Sequence, residues 1–513
     1  MNTKHESDLV EAPEAVQADP QRPFVRVLFI AGGLAFLILQ VMFFYGLAVA
    51  KQSRRPDVLL VTFDTLRADH CSACGYDRPT TRTLETLAAG GARFAVACAP
   101  MATTAPSHAS MFTSRYPLSH GVLRNGFRLP DEAVTLAELL RDQGYSTAAF
   151  VSSFVLYHKF GLAQGFDVYD DDFSGAEGTQ AQTGAWEGEA VPGRTVDRRA
   201  DATTDAALKW LAAAAVEPEG RKRRPIFTWV HYMDPHEPYV PPESFGDPFG
   251  SARMTPGSLE QAIARYDTEI AFADAQLKRL VDAFDAAGRE TEPLIIVTSD
   301  HGEAFCEHGW RGHGPQIYEE AVRIPLIVRW EGRIPPGRVI EAPVSLPDVA
   351  ATVLDLIGVD APRTDFDGES LAAALTKGVR LDDDRPHVFQ RRLYERDGAV
   401  EPIPLREMDG ATFGQSVEVR GVKFAIRSGR WKYYEAREER VARELYDLRA
   451  DPGEQSNVAA DHPDDVNRLS QMLNTWRRRQ LAGLLQRPPQ TVTSQDRAIL
   501  ESLGYTEPDD DDP

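Results

Sequence analysis

Three short apolar runs, each ending in an acid or a histidine, indicate the architecture of the chain. They cover residues 57–64, 225–231 and 293–300. Unbroken apolar runs of this length predict strands that are buried on both faces of a parallel sheet. Helical spacing of apolar positions predicts helices over residues 133–142, 202–215 and 259–287. Alternating strands and helices predict an α/β fold with a doubly wound, mostly parallel sheet, whose ligands bind beyond the carboxyl ends of the strands.

The pattern changes after residue 380. Residues 381–386 are acidic and contain a proline, and residues 417–426 and 431–435 then alternate as antiparallel strands do. Residues 463–481 predict a helix that begins with a proline. We therefore expect three regions: a large domain over residues 56–380, a smaller C-terminal α+β subdomain over residues 381–485, and an acidic tail over residues 486–513.

The N-terminal region predicts a membrane anchor. Residues 1–26 are polar, acidic and proline-containing, which is typical of a disordered tail. Residues 27–50 are apolar apart from Gln40, a run long enough to cross a bilayer. A cleavable signal peptide is the alternative, but the run is too long for one and the leading segment too acidic. Lysine and arginine are nearly balanced on the two sides of the run, so charge does not decide the orientation of a single-pass protein.

Charge and cysteine content narrow the class of protein. At 513 residues the chain is long enough to bury a large core. Its formal net charge of -21 argues against a nucleic-acid partner. Because of the same charge, an anionic ligand would need a local positive site. Four cysteines are too few for a disulfide framework, and the pair Cys71 and Cys74 has no second pair with which to form a metal site.

A hydroxyl residue with favourable neighbours lies within residues 101–117, which read MATTAPSHASMFTSRYP. Thr104 stands at a predicted helix start, with Pro106 in the first turn and Arg115 near the last. A hydroxyl at that place lies among unpaired backbone N–H groups, where the helix dipole favours an anion. On this stretch alone, an N-cap threonine without a chemical role is the simpler interpretation.

The same stretch resembles the sulfatase signature, Cys/Ser-x-Pro-Ser-Arg-Ala-Ser followed by Thr-Gly-Arg-Tyr-Pro, of the alkaline-phosphatase superfamily. Further blocks resemble the family in the same order. They begin at Asp64 (DTLRAD), His231 (HYMDPHEPYVPP), Arg265 (RYDTEIAFAD), Ser299 (SDHGE) and Leu445 (LYDLRADPGEQSN). The resemblance covers residues 56–457. It implies a sulfatase-like sheet and a hydrolase of sulfate or phosphate esters that lies outside the cytoplasm.

The resemblance and the residue chemistry together give a candidate site. The predicted metal ligands are Asp64, Thr104, Asp300 and His301, which suit a divalent ion such as zinc, manganese, magnesium or calcium. The predicted catalytic residues are Thr104, His108, His231, His236 and His313. The histidines would donate to ester oxygens or protonate the leaving oxygen. Helix capping by Asp64 and Asp300, and packing of His231 at a strand end, are the structural alternatives.

Two departures from the signature change the expected chemistry. Thr104 stands where sulfatases oxidise Cys or Ser to formylglycine, and His108 replaces the arginine four residues on. Oxidation of threonine would give a ketone, so the hydroxyl itself would be the nucleophile. A phosphothreonine accepts a second in-line attack readily, whereas a sulfo-threonine has no comparable exit. The sequence therefore favours a membrane-anchored metallohydrolase that acts on phosphate rather than sulfate esters.

Two alternatives stay open at this point. One is an envelope phosphoryl transferase of the phosphoethanolamine type, although such transferases usually have several membrane spans. The other is a catalytically dead, sulfatase-like protein that binds glycans. In each case the expected partner is an anionic sulfo- or phospho-ester of a glycan or a lipid headgroup.

Overall fold

The computed structural model describes most of the large domain and of the C-terminal subdomain. The described residues are 55–173, 185–186, 189–190, 197–214, 223–287, 291–361, 365–392, 398–400, 417–419, 422–436 and 443–482, with helical positions 37, 40 and 42 near the N terminus. The chain divides into the units Met1–Arg54 and Arg55–Pro513. Apart from the three helical positions, the predicted tail 1–26 and anchor 27–50 lie outside the described residues, as does the acidic tail 486–513. No helix among the described residues is long and apolar enough to cross a membrane.

The strands of the described residues, in chain order, are β1 (Val58–Phe63), β2 (Ala92–Phe94), β3 (Ala97–Cys98), β4 (Ser146–Phe150), β5 (Val168–Asp170), β6 (Ala185–Trp186), β7 (Glu189–Ala190), β8 (Ile226–Tyr232), β9 (Leu294–Ser299), β10 (Ala304–Phe305), β11 (Arg311–Gly312), β12 (Arg323–Ile324), β13 (Leu326–Arg329), β14 (Arg338–Ile340), β15 (Val344–Ser345), β16 (His387–Gln390), β17 (Gly398–Val400), β18 (Val417–Val419), β19 (Lys423–Ser428), β20 (Trp431–Ala436) and β21 (Arg443–Asp447). The α-helices are α1 (Arg82–Gly90), α2 (Thr104–Thr113), α3 (Pro117–His120), α4 (Leu136–Asp142), α5 (Ala200–Ala214), α6 (Leu259–Asp285), α7 (Glu319–Val322), α8 (Asp348–Leu356), α9 (Ala372–Lys377) and α10 (Pro463–Ala482).

An eight-stranded sheet in the order β14-β2-β13-β9-β1-β8-β4-β5 forms the centre of the large domain. Its strands are parallel except β13, which runs antiparallel between β2 and β9. All six residues of β1 are buried, with Val58 and Leu60 in the core on one face and Leu59 and Val61 in the core on the other. Covering both faces explains the unbroken apolar run. The predicted α/β fold with a mostly parallel sheet is confirmed.

The central strands deliver the candidate site residues to one edge. β1 pairs with β8 and β9, so that Phe63 lies opposite Tyr232 on one side and Ser299 on the other. Asp64 and Asp300 therefore leave their strands at the same level. β8 extends to Tyr232, so His231 lies inside the strand and not after it.

Several helices differ from the prediction at their ends, and two of them show the reason. α2 begins at Thr104 itself and ends at Thr113, where Ser114 takes the left-handed conformation with φ of 56°. Thr104 is thus the first helical residue and Thr103 the N-cap. Arg115 lies two residues beyond the last helical residue, so it is near the last turn but outside the helix. α4 starts at Leu136 and not at residue 133, because Thr135 and Glu138 form a reciprocal capping box.

The C-terminal subdomain is built on a four-stranded antiparallel sheet, β16-β19-β20-β21. The predicted single strand over residues 417–426 is instead two strands, because β18 pairs with β17 while β19 belongs to the four-stranded sheet. α10 covers the sheet with Leu469 and Leu473, which belong to one core cluster with Tyr433 and Leu445. An α+β subdomain is therefore present, as predicted.

Buried ion pairs join this subdomain to the large domain. The Lys432 ammonium on β20 lies 2.9 Å from Glu319, at the start of α7, and 3.3 Å from Glu454. The Tyr434 hydroxyl donates to Glu454 at 2.6 Å, and Arg427 lies 3.6 Å from Glu319. Lys432 and Glu454 are almost fully buried, so these contacts must compensate the cost of removing their charges from water. The cluster fixes the C-terminal end of the loop that precedes α7.

Replacing Lys432 by Met is expected to lower the free energy of unfolding by about 3–5 kcal/mol, because two buried glutamates lose a cation. The matched control is Lys278→Met, whose partner Asp282 lies at 2.6 Å although both side chains are more than half exposed. The free energy of unfolding of that control is expected to fall by less than about 0.5 kcal/mol. Urea denaturation followed by tryptophan fluorescence measures both. Equal losses in the two variants would contradict the structural role of the buried cluster.

Candidate active site and metal centre

Thr104 lies at the N-terminal end of α2 and is fully buried. Its hydroxyl oxygen lies 3.4 Å from His301 Nε2. The next backbone amide, that of Ala105, donates to Asn125 Oδ1 at 2.8 Å. Asn125 Nδ2 is buried and has no hydrogen-bond partner among the described residues. Asn125 lies outside every motif that we identified, so sequence reasoning missed it.

Asp64, Asp300 and His301 form a buried cluster next to this hydroxyl. Their potential ligand atoms all lie within 4.8 Å of one another. His301 Nε2 is 3.7 Å from Asp64 Oδ1 and 3.6 Å from Asp300 Oδ2. Three residues from two separate strand ends therefore converge where the sequence predicted a metal site.

The hydrogen bonds of the cluster leave atoms that fit a cation. Asp300 Oδ1 accepts from the amides of Thr65 and His301, but Asp300 Oδ2 and both Asp64 carboxylate oxygens have no hydrogen-bond partner among the described residues. His301 Nδ1 lies 2.9 Å from the Gly302 carbonyl and donates to it, which leaves the Nε2 lone pair facing the carboxylates. Burial raises the pKa of both aspartates, and the charge of Asp64 further raises that of Asp300. Three unpaired carboxylate oxygens and an imidazole nitrogen suit a divalent metal ion.

A second possible cluster contains His108, His231 and Asp300. Here the ring nitrogens of His108 are already used. Nδ1 donates to the Thr104 carbonyl at 2.8 Å, and Nε2 accepts from the Thr62 hydroxyl at 3.0 Å, which in turn accepts from the Trp229 indole. Burial lowers the pKa of His108 to about 3, so the ring is neutral near pH 7. The structure thus brings His108 to the backbone of Thr104, where it holds the start of α2.

The other predicted histidines surround the cluster. His231 Nε2 lies 3.4 Å from Asp64 Oδ2, and the His231 Nδ1 accepts from the Ser152 amide. Burial lowers the pKa of His231 to about 4. The His313 ring centre is 4.6 Å from that of His301 and 5.0 Å from that of His236. All the predicted site residues are therefore linked by contacts in one buried site.

His158 and Lys159 make their contacts outside this site. His158 is half-exposed and bonds to Asp171, while the Lys159 ammonium lies over the rings of Phe154, Tyr157 and Phe160. Glu303, in contrast, is fully buried, and its Oε1 lies 3.3 Å from His313 Nδ1. The SDHGE block contained Glu303, but spacing alone gave it no role.

Two buried acids fix the loop that carries His236. Asp234 Oδ2 accepts from the Ala200 amide at 2.8 Å, at the start of α5, and Glu269 Oε1 accepts from the Val240 amide at 2.6 Å. Burial raises the pKa of Asp234 to about 7, and burial together with Asp234 raises that of Glu269. The loop is thus anchored by carboxyl groups that resist ionisation.

A mostly parallel α/β sheet with a buried threonine, two aspartates and a histidine at its carboxyl edge defines a class of ester hydrolases that use a metal ion. The sulfatase family model matches residues 56–359, more than half of the chain. The protein belongs to the sulfatase family, within the alkaline-phosphatase superfamily. It is accordingly a hydrolase of the sulfuric and phosphoric ester class, and enzymes of this family use a divalent metal ion.

Individual relatives agree with this assignment. Human arylsulfatase A is 27% identical over 498 residues, covering 83% of this chain and 88% of the relative. The fold is similar to that of phosphonate monoester hydrolase from Agrobacterium radiobacter, with a TM-score of 0.62, 22% identity and coverage of 83% and 96%. It is also similar to that of BT4656, solved with D-glucosamine-2-N,6-O-disulfate, with a TM-score of 0.64, 20% identity and coverage of 83% and 98%.

Adding Mn²⁺ or Zn²⁺ at a hundred times its dissociation constant is expected to stabilise the metal-free protein by about 2.7 kcal/mol. Asp64→Asn is expected to abolish this gain, while its metal-free form is at least as stable as the metal-free wild type, because a buried like charge is removed. Urea unfolding with and without metal, together with metal analysis of the dialysed protein, measures both effects.

Asp267→Asn is the matched control for that experiment. Asp267 is also fully buried, but it accepts from His70, Tyr76 and Arg78 and has a structural role. It is expected to lose stability and to keep the gain from metal. A full gain in the Asp64→Asn protein would show that the metal binds elsewhere.

The stability difference between Asp234→Asn and the wild type is expected to grow with pH. A carboxyl group whose pKa is raised on folding stabilises the protein fully below its unfolded pKa, and loses that contribution as the pH rises through about 7. Between about pH 4 and 7, the free energy of unfolding of the variant should rise relative to that of the wild type by up to about 1.4 kcal/mol per pH unit. Urea denaturation across this range measures the difference, with Asp282→Asn as an exposed control. Parallel pH profiles would contradict the raised pKa.

Proposed function

We propose that the protein is a metallohydrolase that cleaves phosphate esters through a covalent intermediate on Thr104. The main support is the position of the Thr104 hydroxyl. It is buried at the first residue of a ten-residue helix and lies 3.4 Å from His301 Nε2, beside carboxylate oxygens that lack partners among the described residues. The helix dipole stabilises negative charge on a nucleophile at this position, and burial keeps bulk water away from it.

Asp64, Asp300, His301 and Thr104 are the residues that would hold the metal ion. Bound there, a divalent cation would lower the pKa of the Thr104 hydroxyl and offset the charge of the ester. His108 then has a different role from the arginine of the family signature. It is neutral and bonds to the backbone of Thr104, so it orients the nucleophile and contributes no charge to the anion site.

The reaction has two in-line displacements. After the hydroxyl proton has passed to water, Thr104 Oγ1 forms a bond to phosphorus as the bond to the leaving oxygen breaks. Burial lowers the pKa of His236 and His313, so each would act as a neutral hydrogen-bond donor to that oxygen, which takes up through water the proton that left Thr104. Water then attacks the phosphothreonine, which releases inorganic phosphate, and returns a proton to the Thr104 oxygen. Asn125 Nδ2, buried near the same helix start, is a further donor for the phosphoryl oxygens.

Threonine favours phosphorus over sulfur in this scheme. Its Cβ carries a methyl group, so oxidation gives a ketone and no formylglycine hydrate forms. A sulfo-threonine would then have to be cleared by attack at sulfur, which is the harder step. The fold similarity to a phosphonate monoester hydrolase is compatible with phosphorus chemistry, and that to a protein solved with a sulfated glucosamine is compatible with a glycan ester. We propose an anionic ester of a glycan or a lipid headgroup as the substrate.

The cellular location is proposed from the sequence alone. Residues 27–50 have the length and apolar character of a single membrane anchor. The resemblance to sulfatases supports a hydrolase domain outside the cytoplasm.

Thr104→Ala is expected to lower kcat for aryl phosphate esters by at least about a thousandfold, because the covalent route is lost. Thr104→Ser keeps the hydroxyl and is expected to stay within about tenfold of the wild type. Thr103→Ala is the matched control, since Thr103 is also buried and its hydroxyl makes no hydrogen bond among the described residues. Steady-state assays on aryl phosphate mono- and diesters and aryl sulfate, with mapping of phosphothreonine after acid quench, give the readout.

Other outcomes would replace the proposal. Unchanged hydrolysis by Thr104→Ala would show that Thr104 is not the nucleophile. Turnover of aryl sulfate alone would overturn the preference for phosphorus. Transfer to an added acceptor from a lipid donor, with little release of phosphate, would identify a transferase. Metal and glycan binding without turnover would identify a binding protein.

A further inference from the structure

We infer that Glu303 is a positioning residue that fixes the ring of His313 for its role at the ester. This inference rests on the proposed function, because it assigns His313 to proton transfer or to the binding of an ester oxygen. Glu303 Oε1 lies 3.3 Å from His313 Nδ1, and both side chains are buried. The bond occupies Nδ1, so that a contact of this ring with the ester would be made through Nε2.

The backbone around Glu303 is held firmly. Its amide donates to the Glu320 carbonyl at 3.0 Å, and its carbonyl accepts from the Arg67 guanidinium at 2.9 Å. The preceding Gly302 allows the chain to approach α7 closely, since a Cβ there would lie 2.1 Å from the Glu320 carbonyl oxygen. The carboxyl group therefore projects from a fixed backbone, which a positioning residue needs.

The contacts of the neighbouring side chains are also compatible with this role. Arg311 already forms an ion pair with Glu237 at 2.6 Å. The other carboxyl oxygen of Glu303, Oε2, has no hydrogen-bond partner in the described part of the chain. The carboxyl group thus contacts a site histidine directly through Oε1.

A carboxylate behind an imidazole selects which ring nitrogen faces the reacting atom. Glu303 contacts His313 Nδ1 from one side, while the rings of His301 and His236 limit the rotation of the His313 ring from two others. Replacing Glu303 should therefore slow the chemical step and leave substrate binding largely unaltered.

The test compares Glu303→Ala and Glu303→Gln with a matched pair elsewhere. Glu320 makes the same type of contact, 2.7 Å to His308 Nδ1, but that histidine is not among the predicted site residues. We expect Glu303→Ala to lower kcat for an aryl phosphate 10- to 100-fold with KM changed less than threefold, the size of effect typical of groups that orient a ligand or catalytic residue. Glu303→Gln still offers a hydrogen-bond partner to Nδ1 and should recover most of the rate. Glu320→Gln should lower kcat less than threefold.

A spectroscopic measurement separates this inference from the proposed function. ¹⁵N NMR spectra of the full chain are recorded for each variant, and the His313 signals are assigned with His313→Asn. The Nδ1 signal should show a hydrogen bond in the wild type and in Glu303→Gln, and it should shift when that bond is lost in Glu303→Ala. If no ester is hydrolysed but the spectra behave this way, the proposed function fails and the positioning stands. Unchanged spectra in Glu303→Ala, or a kcat loss no larger than in Glu320→Gln, would overturn the role of Glu303.

Discussion

Repulsion between two buried carboxylates is the constraint on which the site depends. Asp64 and Asp300 leave neighbouring strands at the same level, and three of their four oxygens have no hydrogen-bond partner among the described residues. Such an arrangement is unfavourable without a cation, so the surrounding structure must hold it in place. Thr65 adopts a left-handed conformation with φ of 59°, which is rare for a β-branched residue. Its amide bonds to Asp300, and its carbonyl accepts from the Tyr266 hydroxyl on α6. Local strain at Thr65 is thus maintained by a helix that packs against the sheet.

The replacement of arginine by His108 changes how charge is distributed around Thr104. An arginine at this position would be permanently positive, whereas His108 is neutral and its two nitrogens are bonded to Thr104 and Thr62. Positive charge for an anionic ester must then come from the metal, the helix dipole and any histidine that is protonated. The site therefore depends on its metal more than a site with an arginine would. This dependence fits a protein whose total charge of -21 offers no general attraction for anions.

Much of the fold and the ligand set could be predicted, because both follow from local pattern. The apolar runs before Asp64 and Asp300 identify strands with buried faces, and parallel pairing places their ends together. The exact start of α4 depends on the capping box of Thr135 with Glu138, and the end of α2 on the left-handed Ser114, so both are harder to predict. Asn125 and Glu303 were missed as site residues because their roles come from distant contacts: Asn125 meets the start of α2 from a loop, and Glu303 meets His313 across a hairpin. Pattern along the chain does not contain such contacts.

The smaller subdomain contributes to the site through the loop between β9 and α7. That loop carries His301, Glu303 and His313, and its far end is fixed by the ion pairs of Glu319 with Lys432. His308, in the same loop, stacks on Tyr318 and bonds to Glu320 and to the Glu454 carbonyl. A loop of this length would lose considerable conformational entropy if it had to be ordered by substrate alone. The buried charges of the subdomain order it in advance, so that His313 is held in the site before the ester binds.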